Sequence, residues 1–97
     1  LSTRPDAIDE EILKELKVYR VNIIELGVQS LDDQVLALAK RGHTAEDVYQ
    51  ASRLIREKGF SLGWQLMPGL PGETELSLKK TIEAVLHWQP DFVRIYP

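Results

Sequence analysis

Short apolar runs alternate with stretches whose apolar positions recur every three or four residues, so the chain reads as strands interleaved with amphipathic helices. That order favours a parallel sheet joined by helical crossovers. Leu1 to Thr3 reads as the end of a first strand, and Pro5-Asp6 as the turn that leaves it. Asp9 is placed to cap a helix, with Ile8 and Leu13 spaced as a hydrophobic staple and Ile12, Leu13, Leu16 and Tyr19 as its buried stripe. Ile23 to Val28 forms a second strand. Ser30-Leu31-Asp32-Asp33 has capping-box spacing and opens a short helix carrying Val35, Leu36, Leu38 and Ala39, which Gly42 ends. Thr44 and Asp47 repeat that spacing before a longer helix with Val48, Ala51, Ser52 and Ile55 on one face, stopped by Gly59. Ser61 to Met67 is a third strand, and Pro68 to Gly72 is a loop because neither helix nor strand tolerates so many breakers. Thr74 caps a last helix that runs to about Trp88, and Phe92 to Tyr96 is a fourth strand.

Alternation sorts each strand into two faces. Ile24, Leu26 and Val28, then Leu62, Trp64 and Leu66, then Val93 and Ile95 form an apolar set suited to a cover of helices. The opposite set is mostly polar: Ser2 and Arg4, then Ile23, Glu25, Gly27 and Gln29, then Ser61, Gly63, Gln65 and Met67, then Phe92, Arg94 and Tyr96. A doubly wound sheet is apolar on both faces, whereas a barrel enzyme places polar groups in its lumen near the carboxyl ends of the strands. The fold class is therefore α/β, a parallel (β/α) partial barrel of the TIM type with about four strands and three to four helices. One inward Glu against two inward Arg, Arg4 and Arg94, leaves a positive surplus. The lumen then either receives an anion or closes an ion-pair network with further acidic residues.

Composition narrows the class of function. The 97 residues are 43% hydrophobic and 28% charged, which suits one compact unit and excludes disorder. A net charge of -3 argues against a dedicated nucleic-acid face, though not against a local basic patch. No run reaches the length of a membrane span, and no leader pattern opens the chain, so cytoplasm is the default compartment. The absence of cysteine removes disulfides and thiolate metal sites. Both ends fall inside strand-like runs, which reads as a segment of a longer protein with open sheet edges that favour self-association. Trp64 and Trp88 read as packing residues, His87 as a cation at a helix end, and Asp9-Glu10-Glu11 as a solvated helix start. His43 reads as a loop hydrogen-bonding residue, with proton handling as the alternative. Gly69 and Gly72 allow close backbone approach, but the loop lacks the Gly-Lys-Ser/Thr element of a phosphate-binding P-loop.

Four segments in order, Ser2-Thr3-Arg4-Pro5-Asp6, Glu25-Leu26-Gly27-Val28-Gln29-Ser30, Lys40-Arg41-Gly42-His43-Thr44 and Met67-Pro68-Gly69-Leu70-Pro71-Gly72, resemble the radical S-adenosylmethionine (SAM) superfamily. The likeness spans nearly the whole chain. It points to oxygen-independent coproporphyrinogen III oxidase and its relatives, and to the Elongator catalytic-subunit type that acts on tRNA. The Thr-Arg-Pro-Asp wording leans towards the second, and the other segments occur in both. The resemblance implies the second half of a radical SAM core, truncated at both ends. The parent would use S-adenosylmethionine and a [4Fe-4S] cluster held by three upstream cysteines, so this stretch would be inactive alone.

By the same resemblance, Gln29, Arg41, Gln65 and Met67 contact the cofactor, with Met67 near adenine. Strand alternation puts Arg4, Glu25 and Arg94 in the lumen with the substrate, and Tyr96 reads as a rim-packing residue or as a hydrogen-bonding contact to that ligand. No residue is assigned to catalysis and none to a metal. Two departures bear on cofactor placement: Ser2 stands where the family usually has Glu, and Gln65 where it often has Asp. The expected function is part of a coproporphyrinogen III oxidase-like oxidoreductase. The alternatives are an Elongator-like enzyme on tRNA, a non-catalytic barrel scaffold, and an ordinary barrel enzyme with polar chemistry. The expected partner is an anionic small molecule or tRNA, with no membrane.

Overall fold

The computed structural model describes residues 1–96 as four parallel strands in the order β1-β2-β3-β4, with β1 Ser2–Thr3, β2 Ile23–Gln29, β3 Ser61–Leu66 and β4 Phe92–Ile95. Sequential order with every pair parallel is what right-handed β/α crossovers generate. A 3-10 turn over Pro5–Ala7 precedes helix α1 (Glu10–Val18), and two helices, α2 (Asp33–Leu38) and α3 (Ala45–Glu57), bridge β2 to β3. Helix α4 (Glu75–Trp88) bridges β3 to β4. The fold is thus the expected α/β arrangement of four strands and four helices. Among the described residues, no helix is long and apolar enough to cross a membrane.

The alternating pattern becomes the sheet directly. Ile24 lies opposite Leu62, and Leu26 opposite Trp64, which in turn faces Val93. Ile24, Leu26, Val28, Leu62 and Trp64 are fully buried under the helices, together with Leu13 of α1 and Val48 and Ile55 of α3. Ser52 shares the α3 stripe because its hydroxyl accepts the Trp64 indole N–H at 3.0 Å, which satisfies a donor buried in the core. Trp88 stacks on Tyr49 with ring centroids 5.4 Å apart, so both tryptophans pack as expected.

Helix ends follow the sequence at three of four starts. Asp9, Thr44 and Thr74 cap α1, α3 and α4, the last two as reciprocal capping boxes with Asp47 and Ser77. The α2 cap is not Ser30 but Asp32, whose carboxylate accepts from the Gln34 and Val35 N–H groups. Ser30 is instead fully buried at the end of β2, its hydroxyl accepting from the Asp32 N–H at 3.1 Å. The α1 stripe is narrower than expected: Leu13 and Leu16 meet the core, but Tyr19 is 80% exposed, because it lies about a third of a turn off the sheet-facing line. Ile12 turns outward for the same reason. Leu38 of α2 is also exposed, while Val35 and Leu36 are buried. The third and fourth strands end one residue earlier than expected, at Leu66 and Ile95.

The sheet is irregular at one place, the carboxyl end of β2. The β2–β3 register shifts between Gly27 and Gln29, so that Gly27 faces Gln65 and Gln29 faces Leu66. Gln29 adopts a left-handed backbone, φ 68°. A bulge that ends a strand in this way re-aims the side chain at its tip.

Candidate ligand cleft

At the carboxyl ends of the strands lies an open cleft of about 440 Å³. Its floor is Gly27 and Gln29 of β2 with Gln65 of β3, one wall is β1 with Arg4 just beyond it, and the other wall is Lys40, Arg41 and His43 from the α2–α3 connection. Barrel enzymes place their chemistry at this end of the sheet.

Three of the four residues assigned to the cofactor, Gln29, Arg41 and Gln65, line this cleft, and Met67 lies behind it, joined to Arg41 and Gln29. The Gln29 amide donates to Gln65 Oε1 at 3.5 Å, and Arg41 Nη2 approaches the Met67 sulfur at 3.7 Å. Gly27 leaves room for the Gln29–Gln65 pair: a Cβ there would crowd Gln29 Nε2 at 3.2 Å and touch Gln65 Oε1 at 3.6 Å. Met67 itself is held next to Gln29, its N–H donating to the Gln29 carbonyl at 2.9 Å.

The residues assigned to the lumen divide. Arg4 lines the cleft, with Nη2 donating to the Arg41 carbonyl at 3.2 Å and its guanidinium forked onto Asp6. Glu25 and Arg94 lie outside the cleft as an ion pair of 2.7 Å, with the Ser2 hydroxyl donating to the same carboxylate at 3.3 Å. Glu25 is 8% exposed, and an unmatched carboxylate at that depth would cost several kcal/mol, so Arg94 supports the fold at this point. Tyr96 is 41% exposed and does not reach the cleft; its N–H continues the ladder to Leu66.

Of the cleft's charged groups, Arg4 has the carboxylate of Asp6, whereas Lys40 and Arg41 have no acidic partner within 4.0 Å among the described residues. Lys40, marked in the sequence only as part of the segment shared with the family and given no role there, also joins the site. It follows α2 with a left-handed φ of 53°, which neither periodicity nor capping chemistry signals.

Three buried polar atoms in the described residues have no hydrogen-bond partner: Gln29 Oε1, Arg41 Nε and His43 Nδ1. All three belong to residues that line this cleft. Buried polar groups are nearly always satisfied, so two free acceptors and a free donor gathered at one place mark a site prepared for a polar ligand. A molecule carrying both hydrogen-bond donors and a carboxylate, as S-adenosylmethionine does, fits that set. An iron–sulfur cluster does not fit the residues here: there is no thiolate, and no cluster of three metal-ligating side chains among the described residues. Beyond Gln29 a second cavity of about 260 Å³, lined mainly by Leu66, Pro68, Leu78, Ile82 and Ile95, is apolar.

Comparison with known proteins places the chain in a family. The family model described as the Radical SAM superfamily matches residues 1–85. A tRNA uridine(34) acetyltransferase of Methanocaldococcus infernus is 36% identical over 100 residues, covering all of this chain and 19% of that protein. The structure of an N-terminally truncated Elp3 from Methanocaldococcus infernus superposes with a TM-score of 0.93 at 36% identity, over 99% of this chain and 23% of that one. Escherichia coli coproporphyrinogen III oxidase, a radical SAM enzyme, superposes at 0.84 with 29% identity, over 99% of this chain and 23% of that one. The chain spans about a fifth of the length of the curated relatives it matches first.

Proposed function

The chain belongs to the radical SAM superfamily, and from that premise we propose that its cleft binds S-adenosylmethionine within an Elongator-like enzyme acting on tRNA. The observation that carries the reading is the gathering of Gln29 Oε1, Arg41 Nε and His43 Nδ1, all buried and unpartnered, at the carboxyl ends of parallel strands. When bound, S-adenosylmethionine supplies a sulfonium whose one-electron cleavage starts hydrogen abstraction from the substrate.

This chain's residues bind and orient. Arg41 has a free Nε–H and no acidic partner among the described residues, so it suits a carboxylate. Gln29 offers an acceptor for an ammonium or hydroxyl, and Gln65 holds the Gln29 amide in place. Met67 supplies polarizable apolar surface beside Arg41. The cluster would be held by cysteines elsewhere in a longer parent, of which this stretch is the second half of the core. The stretch alone is then inactive.

Similarity favours the tRNA branch over the coproporphyrinogen oxidase specificity expected first: the acetyltransferase and Elp3 are 36% identical, the oxidase 29%. Lys40 at the cleft rim, beside an Arg41 occupied by the cofactor's carboxylate, supplies local positive charge on a chain of net charge -3, which suits an RNA phosphate. The outer edges of β1 and β4, with Leu86 and Ile82 exposed on α4, support association with further sheet or a second copy.

Isothermal calorimetry with S-adenosylmethionine tests the cofactor reading. Arg41→Ala removes a charge-assisted bond of about 1.5–3 kcal/mol, so affinity should fall roughly ten- to hundredfold. Unchanged affinity would remove Arg41 from the site. In filter binding, tRNA retained in preference to coproporphyrinogen supports the branch assignment, and the reverse preference overturns it.

A further inference from the structure

His43 is more than nine-tenths buried, in a loop where most polar residues are wet. Its Nε2 lies 3.0 Å from the Val28 carbonyl oxygen. A carbonyl can only accept, so Nε2 carries the hydrogen and donates. In the neutral ring this fixes the tautomer: Nδ1 is a lone pair, and it is one of the unpartnered buried atoms. The expected loop hydrogen bond is therefore present, but it uses only one of the two ring nitrogens.

The Val28 carbonyl is a special acceptor. It belongs to the residue that drops out of the β2–β3 register at the bulge, and it accepts two bonds there, from the Ser30 N–H at 2.8 Å and from His43. His43 thus ties the α2–α3 connection to β2 immediately before Gln29, the residue with the left-handed backbone. The bond fixes His43 in the cleft wall, and Gln29, His43 and Arg41, all lining residues, each carry a buried polar atom without a partner: Oε1, Nδ1 and Nε.

We propose that His43 is a ligand-binding and specificity-determining residue of this cleft: through Nδ1 it accepts a hydrogen bond from a hydroxyl or ammonium of the bound molecule. The inference rests on the cofactor reading above and deepens it, by specifying what the ligand must present. Gln29 Oε1 and His43 Nδ1 select a ligand with two donor groups, while Arg41 and Lys40 select an anionic group on the same molecule. A ligand bearing only carboxylates satisfies the cations and leaves both acceptors empty. Adding a donor to an anion at this site therefore strengthens binding, and the gain depends on His43.

Two substitutions separate the ligand contact from the structural bond. In His43→Gln the amide N–H can reach the position of Nε2 and keep the bond to Val28, while the ring acceptor is lost. In His43→Asn a polar atom remains near Nδ1 and the bond to Val28 is lost. The chain is labelled with 15N in histidine and titrated with S-adenosylmethionine, and long-range 1H–15N spectra follow Nδ1. Calorimetry on both variants accompanies the spectra.

The expected results are a displaced Nδ1 resonance on binding, unchanged thermal stability of His43→Gln, and a roughly three- to tenfold loss of its affinity, the range of one neutral hydrogen bond. His43→Asn should lose stability as well. If the ligand binds and perturbs Gln29 and Arg41 while Nδ1 and the affinity of His43→Gln stay unchanged, the inference fails and the cofactor reading survives. If the unsubstituted chain does not bind the ligand at all, both are overturned.

Discussion

Gly42 sits at the hinge of the cleft wall, between Arg41 and His43, and Gly42→Ala tests whether that wall is built as described. Its φ of 80° lies in the left-handed region, where a Cβ costs about 1–2 kcal/mol. An added Cβ would also meet Arg4 Nη2 at 2.5 Å, too close to coexist with the guanidinium in place. Displacing Arg4 loses its 3.2 Å bond to the Arg41 carbonyl, worth at most about 0.5–1.5 kcal/mol and near the low end because the side chain is 62% exposed. The fork onto Asp6 is equally exposed and adds roughly 0–1 kcal/mol. The expected loss for Gly42→Ala is therefore about 2–3 kcal/mol. In an Arg4→Ala background the collision is gone and only the backbone term remains, about 1–2 kcal/mol. Urea denaturation of the four chains of this cycle, with equal m-values, measures both numbers. Equal losses in the two backgrounds would refute the packing of Arg4 on Gly42. A negligible loss in both would refute the left-handed conformation.

Two further expectations concern single residues. Gln29 carries its left-handed backbone with a full side chain, so Gln29→Gly should be more stable than Gln29→Ala by about 0.5–1 kcal/mol, while both lose S-adenosylmethionine affinity alike. Thermal melts paired with calorimetry check this, and equal stability of the two variants would contradict the strain. Burial raises the Tyr49 hydroxyl above its ordinary pKa of 10.0, and the charges of Asp33 and Glu46 push the same way. The folded chain then holds this proton where the unfolded chain has released it, so stability should decline as pH rises above about 10. Tyr49→Phe keeps the ring stacked on Trp88 and should flatten that decline in denaturation curves compared between pH 9 and pH 11. A decline of the same slope in Tyr49→Phe would assign it to another group.

The fold was legible because its strands obey period two and helix α3 obeys a clean stripe. Val48, Ala51, Ser52 and Ile55 are all buried as the spacing predicts. The misread cap of α2 has a local cause. Both Ser30 and Asp32 satisfy the cap chemistry, and the choice depends on how far the preceding strand runs. Once β2 bulges at its end, Ser30 is drawn under α4, where the next N–H, that of Leu31, donates to Thr81 at 3.1 Å. Asp32 is then the first acceptor free to turn back on the helix. A left-handed residue at a strand end leaves no trace in alternation, so neither the bulge nor the new direction of Gln29 could be read from the pattern. The identity of Gln29 and Arg41 as site residues came through family resemblance, not periodicity.

The cleft's charge was the other point that needed the sheet in three dimensions. In sequence, Glu25, Arg4 and Arg94 are one acid and two bases on inward faces, and their sum suggests a lumen short of negative charge. In the sheet, Glu25 and Phe92 lie on either side of Gly63, a position where an added Cβ would overlap the Phe92 ring. With no side chain at Gly63, the guanidinium of Arg94 crosses β3 and closes on Glu25, although the two residues are far apart in the chain. Arg4 closes on Asp6, a residue that alternation does not place on any strand. Both lumen arginines are thereby matched. Among the described residues, the cleft's unmatched cations are Lys40 and Arg41, which the helix–helix connection brings over the strand ends. An anion is consequently favoured at the rim of the cleft beside Gln29 and His43, where a ligand's donors can also be met, rather than deep in the lumen where Arg94 is already spent.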